Sequence, residues 1–305
     1  MPSTPATDTP PSTVAIIGLG LIGGSLALAL RDAGAVRELL AWDTRADAMK
    51  EGLARGVIDR ALDSPLDALV QADVIVLCVP TVAAADLLAA LTQQAAQIDS
   101  SAAITDVASV KGGLETRMLA EHGVVPANVI LGHPIAGSER SGVAAARADL
   151  FRDHLTILTP ADNASASALA VVSALWEAAG ASVVCMAVSA HDRVLAATSH
   201  LPHVLAYCLV DTLARSPHCD DIFRFAAGGF RDFTRIASSD PVMWRDVALA
   251  NRAALLEAID DFEQHLTTLR AAIDAGDGEA LLHTFTAAKT ARDGFAALLA
   301  ARRHS

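Results

Sequence analysis

Over roughly its first 188 residues the chain alternates short apolar runs with longer segments of helical periodicity. The runs at 14–17, 38–42, 73–79, 102–105, 129–131, 155–158 and 182–186 read as strands. The run at 73–79 is apolar at every position after Asp73, as in a strand covered on both faces. Helical segments fall between most of these strands, which predicts a doubly wound α/β sheet. The helix after the first strand runs to about Ala33, with Gly34 at its C-cap.

Beyond about residue 188 only helical patterns remain. Pro202 interrupts the first long helical segment and predicts a kink. Asp240-Pro241 reads as an N-cap aspartate followed by proline in the first turn. Within the helix that follows, Leu255, Ile259, Phe262, Leu266, Leu269 and Ile273 recur at alternating spacings of four and three, a coiled-coil-like seam. Gly276-Asp277-Gly278 turns the chain into a last helix over roughly 279–301. A helical half of this size is more readily stabilised against a copy of itself than as an intrachain hairpin, so a homodimer is expected.

The first strand opens directly into Gly18-Leu-Gly20-Leu21-Ile22-Gly23. The first glycine suits the tight turn, the second lets backbone approach a pyrophosphate, and the third allows close helix–strand contact. Asp43, 20 residues after Gly23 at the end of the second strand, suits the ribose hydroxyls and favours NAD. Arg45 leaves NADP open. Leu21, Ile22 and the Val79-Pro80 strand end complete the expected cofactor site. The fold expected is therefore an α/β N-terminal Rossmann-type sheet with an all-α C-terminal dimerisation domain. The bounds are 1–12 for a disordered tail, 13–188 for the dinucleotide-binding domain and 189–305 for the helical substrate and dimerisation domain.

Composition narrows the function. The 305 residues are 52% hydrophobic, enough for a large core, and carry a net charge of −12. That balance speaks against nucleic acid or anionic membrane as partners. Cys78, Cys185, Cys208 and Cys219 form no metal-ligand spacing and read as reduced core thiols, so a cytoplasmic protein without a metal site is expected. The first dozen residues contain no basic apolar leader.

Chemistry concentrates at the strand ends. In Leu131-Gly-His133-Pro-Ile-Ala-Gly-Ser138-Glu139 a histidine, a hydroxyl and a carboxylate lie where ligands bind in open α/β sheets. Histidine titrates near working pH, so His133 suits proton abstraction from a substrate hydroxyl while hydride leaves the same carbon. Thr105-Asp-Val-Ala-Ser109-Val-Lys111 adds a hydroxyl and a cation at the same edge. In the helical half, His191-Asp192, Ser199-His-Leu-Pro-His203 and Gly228-Gly-Phe-Arg-Asp232-Phe-Thr-Arg235 bring further polar groups, and Arg235 suits a substrate carboxylate.

These segments, with Asp240-Pro-Val-Met-Trp244, run in order over nearly the whole chain and resemble the prephenate/arogenate (cyclohexadienyl) dehydrogenase family of tyrosine biosynthesis. The resemblance implies oxidative decarboxylation of a cyclohexadienol. Hydride passes from the hydroxyl-bearing ring carbon to NAD, carbon dioxide leaves and the ring becomes aromatic. It also implies that His133 takes the hydroxyl proton, that Ser109 holds His133 and the hydroxyl, and that Arg235 binds a carboxylate. By the same resemblance His203, Ser138 and Glu139 line the substrate pocket, and Asp232 and Trp244 support it. His191 and Asp192 are expected to cap or brace the helical half. With no segment before residue 13 that could form a mutase domain and nothing after Ser305 that could form a small regulatory one, neither fused domain is expected. Prephenate with NAD is the first choice of substrates; arogenate, or both, is the alternative. A β-hydroxyacid-type dehydrogenase shares the fingerprint and the helical second half, but its catalytic lysine has no counterpart, because Lys289 is the only lysine after Lys111.

Overall fold

A computed structural model describes residues 12–137 and 140–302. Ser138, Glu139 and all of the expected N-terminal tail except Ser12 lie outside the described residues. The first part of the chain runs β1 (Ser12–Ile17), α1 (Leu21–Asp32), β2 (Val36–Trp42), α2 (Ala46–Ala54), β3 (Arg60–Ala61), α3 (Ala68–Gln71), β4 (Val74–Leu77) and α4 (Thr81–Ile98). It continues through β5 (Ala103–Asp106), α5 (Gly112–His122), β6 (Val129–Pro134), β7 (Leu155–Thr159), α6 (Ala166–Ala178) and β8 (Ser182–Cys185). The eight strands form one sheet in the order β3-β2-β1-β4-β5-β6-β7-β8. Residues alternate between its two faces: Val14 and Ile16 join the core containing Trp176 and Phe151, and Ala15 and Ile17 join the core containing Leu88 and Met118.

From β3 to β6 all pairings are parallel, so the strand ends that follow Ile17, Leu77, Asp106 and Pro134 lie along one edge. Strand order reverses at β1, and the crevice between β1 and β4 is where such sheets bind nucleotides. The sheet is not wholly parallel as the doubly wound pattern implies. β7 runs antiparallel to β6, because the described residues of the 135–154 connection carry one 3₁₀ turn and no crossover helix. This pairing also lengthens β6. It is bonded to β5 only at Val129 and Ile130, and to β7 from Leu131 to Pro134. His133 therefore lies within a strand, opposite Ile157, and not after one. Gly132 and Pro134 are poor strand residues, which hides this extension from local pattern. β3 has two exposed residues and no hydrophobic signature.

The remainder is helical: α7 (Val188–Leu195), a π-turn (Ala196–His200), α8 (Leu201–Ala214), α9 (Cys219–Arg224), α10 (Gly228–Thr234), α11 (Pro241–Ala250), α12 (Arg252–Asp274) and α13 (Gly278–Arg302). The kink expected from Pro202 takes the form of the π-turn immediately before it, since proline denies the preceding turn one backbone donor. Asp240 caps α11 by accepting N–H groups of Val242 and Met243 at 2.8 and 3.0 Å. The single helix expected from there to the seam is broken at Asn251 into α11 and α12. Of the seam, Leu255 is buried, whereas Leu266 and Ile273 are 52% and 61% exposed, so contact between α12 and α13 does not cover it. All four cysteines are free, but Cys185 and Cys208 are exposed and not core residues.

Candidate active site

The glycine-rich turn is shaped by steric limits that the fold itself imposes. Gly18 has φ +102°, and a Cβ there would lie 2.4 Å from the carbonyl oxygen of Cys78. A Cβ on Gly23 would lie 2.2 Å from the carbonyl oxygen of Gly18. Gly20, the N-cap of α1, is different, because a Cβ there would meet nothing within 4 Å. Packing does not require glycine at that point, whereas close approach of a pyrophosphate to the helix N-terminus does. Leu21 is buried at the start of α1, Ile22 is half-buried beside the core, Val79 lies across from Gly18, and Pro80 follows it exposed. The residues present therefore fit a dinucleotide.

Asp43 does more than wait for a ribose. Its Oδ2 accepts the Leu19 N–H at 2.7 Å, and its Oδ1 accepts the Arg45 N–H at 2.8 Å and Nε at 3.3 Å. A carboxylate has about four lone-pair directions, so ribose hydroxyls can share the same oxygens. Arg45 is folded onto Asp43 with half of its side chain exposed.

At the edge formed by β5 and β6, Lys111 and Asp106 make an ion pair with both side chains fully buried. Lys111 Nζ also donates to the Gly132 carbonyl at 2.5 Å, while Asp106 accepts the Gly132 N–H at 3.1 Å and the Ala108 N–H at 2.9 Å. The pair thus grips both backbone groups of the residue before His133. Lys111, expected at the open edge, is instead inside it. Burial lowers its pKa, and Asp106 opposes that effect.

His133 Nδ1 lies 2.9 Å from His191 Nε2, and His191 Nδ1 lies 2.8 Å from Asp192 Oδ1. Asp192 also accepts the N–H groups of Lys111 and Gly112, at 2.9 and 2.8 Å, and so caps the start of α5 from α7. The bracing expected of Asp192 is present, but His191 is fully buried against His133. Ser109 is half-buried in the β5–α5 loop and makes no hydrogen bond to His133, so the partner that holds His133 is His191. Burial drives the His133 pKa well below the ordinary histidine value, and Lys111, His191 and His200 add to the effect.

His200 is buried, and Asn251 donates Nδ2 both to its Nδ1 (3.0 Å) and to the Asp192 carbonyl (2.7 Å). Asn251, unremarked in the sequence, is thus the residue at which the α11–α12 break meets the site. Its only local signal was polarity within an apolar helical pattern. Burial lowers the His200 pKa to about 4. His203 donates Nδ1–H to the Ser199 carbonyl at 2.8 Å and stacks on Trp244 at 3.5 Å between centroids. Trp244 also meets His200 edge-on at 6.1 Å. Burial lowers the His203 pKa too, with a further contribution from the charge of exposed Arg235. Asp232 stands apart, paired with its neighbour Arg231 at 3.2 Å on an exposed surface. His200 Nε2 and Trp244 Nε1 are buried without a hydrogen-bond partner among the described residues.

A nucleotide crevice, a neutral histidine at the adjacent strand ends and a helical half that closes over it define a dinucleotide-dependent dehydrogenase with an all-α second domain. Residues 26–185 match the prephenate dehydrogenase nucleotide-binding domain, and residues 187–287 match the prephenate dehydrogenase dimerization domain. The chain belongs to the prephenate dehydrogenase family. It is 38% identical to the cyclohexadienyl dehydrogenase of Zymomonas mobilis, over 92% of this chain and 94% of that protein. It is 35% identical to the prephenate dehydrogenase of Bacillus subtilis, over 92% of this chain and 76% of that one. Among solved structures, Aquifex aeolicus prephenate dehydrogenase in complex with hydroxyphenyl propionate and NAD+ superposes with a TM-score of 0.83 at 34% identity, covering 93% of this chain and 98% of that one.

Two outcomes are expected from these geometries. Asp106→Ala leaves the Lys111 ammonium buried and unpaired, so chemical denaturation should show a loss of about 3–5 kcal/mol; a change under 1 kcal/mol would contradict the assigned pair. His133, His200 and His203 stay neutral in the folded protein while the unfolded chain protonates below about pH 6.5. Their contribution to stability is whole above that pH and declines below it, for His200 down to about pH 4. Tm followed by calorimetry should fall steadily from pH 7 to 4, and a flat profile would show that these histidines do not stay neutral.

Proposed function

We propose that the protein catalyses the NAD-dependent oxidative decarboxylation of prephenate to 4-hydroxyphenylpyruvate, with His133 as the proton acceptor. The observation that carries this reading is a neutral, half-buried histidine beside a nucleotide crevice, held through Nδ1 so that Nε2 is left for a substrate hydroxyl. Bound NAD supplies the hydride acceptor. His133 receives the hydroxyl proton as the carbon–oxygen bond gains double-bond character and hydride departs. The bond to the ring carboxylate then breaks, its electron pair enters the ring, and the proton returns to the ring oxygen. Aromatisation drives the sequence, so the protein need chiefly orient the ring and manage one proton.

Ser109, on the same edge as His133, is assigned to the substrate hydroxyl. Arg235 is assigned to a carboxylate, with His203 and Trp244 forming the wall beside it. The unpaired His200 and Trp244 N–H groups favour an anion on this side. Ser138 and Glu139, on the β6–β7 connection, remain assigned to the substrate pocket, and Asp232 to its support. Gly18, Gly20, Leu21, Ile22, Gly23, Asp43, Arg45, Val79 and Pro80 form the cofactor site. Likeness to the Zymomonas mobilis cyclohexadienyl dehydrogenase favours a second reading, in which arogenate is also used. The exposed seam of α12 supports a homodimer, the four free cysteines support a cytoplasmic enzyme, and the net charge of −12 speaks against nucleic-acid or anionic-membrane partners.

Absorbance of reduced nicotinamide, followed with NAD+ or NADP+ and with prephenate or arogenate, should rise first with NAD+ and prephenate. Silence in all four pairings would refute the proposed activity. His133→Asn should lower kcat on the order of 10²- to 10⁴-fold while NAD binding persists. For the dimer, Leu266→Glu with Ile273→Glu should convert the species seen by sedimentation to monomer; an unchanged mass would remove the seam from the interface.

A further inference from the structure

We infer that His191 and Asp192, at the start of the helical half, act as a positioning relay that fixes the tautomer of His133 and shares its charge when it accepts a proton. The inference rests on the reading of His133 as the base. It extends that reading to two residues that the sequence presents only as a brace.

The argument begins at Asp192. Its carboxylate receives His191 Nδ1 and the backbone N–H groups of Lys111 and Gly112, all within 2.9 Å. Burial acts to raise its pKa, but these hydrogen bonds prevail and lower it, so Asp192 is ionised. Against an ionised carboxylate, His191 Nδ1 must carry the hydrogen. A neutral imidazole then has its lone pair on Nε2. That atom lies 2.9 Å from His133 Nδ1, which must therefore be the donor. The lone pair of His133 is left on Nε2, the nitrogen a base requires. One carboxylate thus dictates two tautomers in sequence.

The same chain answers an electrostatic difficulty. Around His133 stand Lys111 from the start of α5, His191 from α7 and His200 from the π-turn, and each disfavours a positive charge there. A proton taken up by His133 produces that charge. The path from Nδ1 through His191 to Asp192 lets the charge spread toward an anion, in the manner of a buried aspartate behind a catalytic histidine.

Capping alone does not explain the arrangement. Asp192 can cap α5 without His191, yet His191 is fully buried with both ring nitrogens engaged. Gly112 adds a further constraint, since a Cβ there would lie 2.8 Å from Asp192 Oδ2. The start of α5 leaves room for the carboxylate and for little else.

The test uses His191→Asn and His191→Gln in the full chain. Asparagine can keep the donor to Asp192 but does not reach His133; glutamine can offer an acceptor to His133 while losing the Asp192 bond. His191→Asn should lower kcat on the order of 10- to 100-fold, a range typical of lost outer partners. KM for prephenate and affinity for NAD should stay within about twofold, a ground-state indifference that marks an effect on the chemical step. The acid limb of kcat against pH should move, and His191→Gln should recover only the part of the rate owed to the His133 tautomer, staying below wild type because the Asp192 bond is lost. In the ligand-free protein, histidine ¹⁵N resonances should show His133 protonated at Nδ1 and bare at Nε2, with the tautomers mixed in His191→Asn. Unchanged kcat and pH profile in His191→Asn would overturn the relay. So would equal losses in both variants with a matching fall in Tm, or the opposite His133 tautomer in the ligand-free wild type. If His133→Asn itself leaves turnover intact, the assignment of the base fails instead; if only His191→Asn is silent, the base stands and the relay falls.

Discussion

The carboxylate of Asp192 joins the two halves of the molecule at their most consequential point. It belongs to the first helix of the helical half, and it accepts the two backbone N–H groups that begin α5 in the dinucleotide-binding half. A helix start has unsatisfied donors and a partial positive charge, so a carboxylate is the natural occupant. The usual arrangement takes it from the residue just before the helix. Here it comes from 80 residues away in sequence, so satisfying α5 also fixes where α7 lies. Everything that α7 and the π-turn carry into the site, from His191 to His200, inherits its position from that contact.

Lys111 makes the contact reach the sheet. Its backbone N–H goes to Asp192 while its side chain goes to Asp106 and the Gly132 carbonyl. One residue therefore ties the helical half, the end of β5 and the end of β6 together. A buried ion pair of this kind is weak evidence of stability, because removing two charges from water costs about as much as their attraction returns. Position accounts better for its presence. Asp106 takes the Gly132 N–H and Lys111 takes the Gly132 carbonyl, leaving His133 little freedom at the strand end. The cation also adds to the burial that disfavours a proton on the His133 imidazole.

What the sequence made legible follows from how local each physical demand is. The glycine turn could be read because its constraints lie within a strand, a turn and a helix. Gly18 needs a positive φ and Gly23 needs contact with the Gly18 carbonyl, and both requirements are met inside six residues. The Asp240 cap and the Pro202 disturbance are equally local. The length of β6 was not legible, because β7 imposes it from 22 to 28 residues away against the preferences of Gly132 and Pro134. The break at Asn251 was hidden for a similar reason: its amide is spent on His200 and on the Asp192 carbonyl, partners visible only after folding. In the site, the residue types were evident and the pairing was not. Ser109 is near His133 in motif order, but the bond goes to His191, 58 residues on.

The histidines also resolve an apparent conflict between the chain and the charge of its proposed substrate. The protein carries a net charge of −12, and the proposed substrate is an anion, so the global field opposes their encounter. Several cationic histidines in the site would help attraction and ruin the chemistry, since a protonated His133 cannot accept a proton. Burial separates the two needs. It leaves His133, His200 and His203 neutral, able to offer directional N–H groups and one lone pair without adding charge. Fixed charge is assigned instead to Arg235, whose guanidinium is exposed. The division is physical: an exposed guanidinium holds the fixed charge assigned to a carboxylate, and three imidazoles kept neutral by burial hold the groups assigned to the proton. Each can work only because the Asp192 and Lys111 contacts hold the two halves in register.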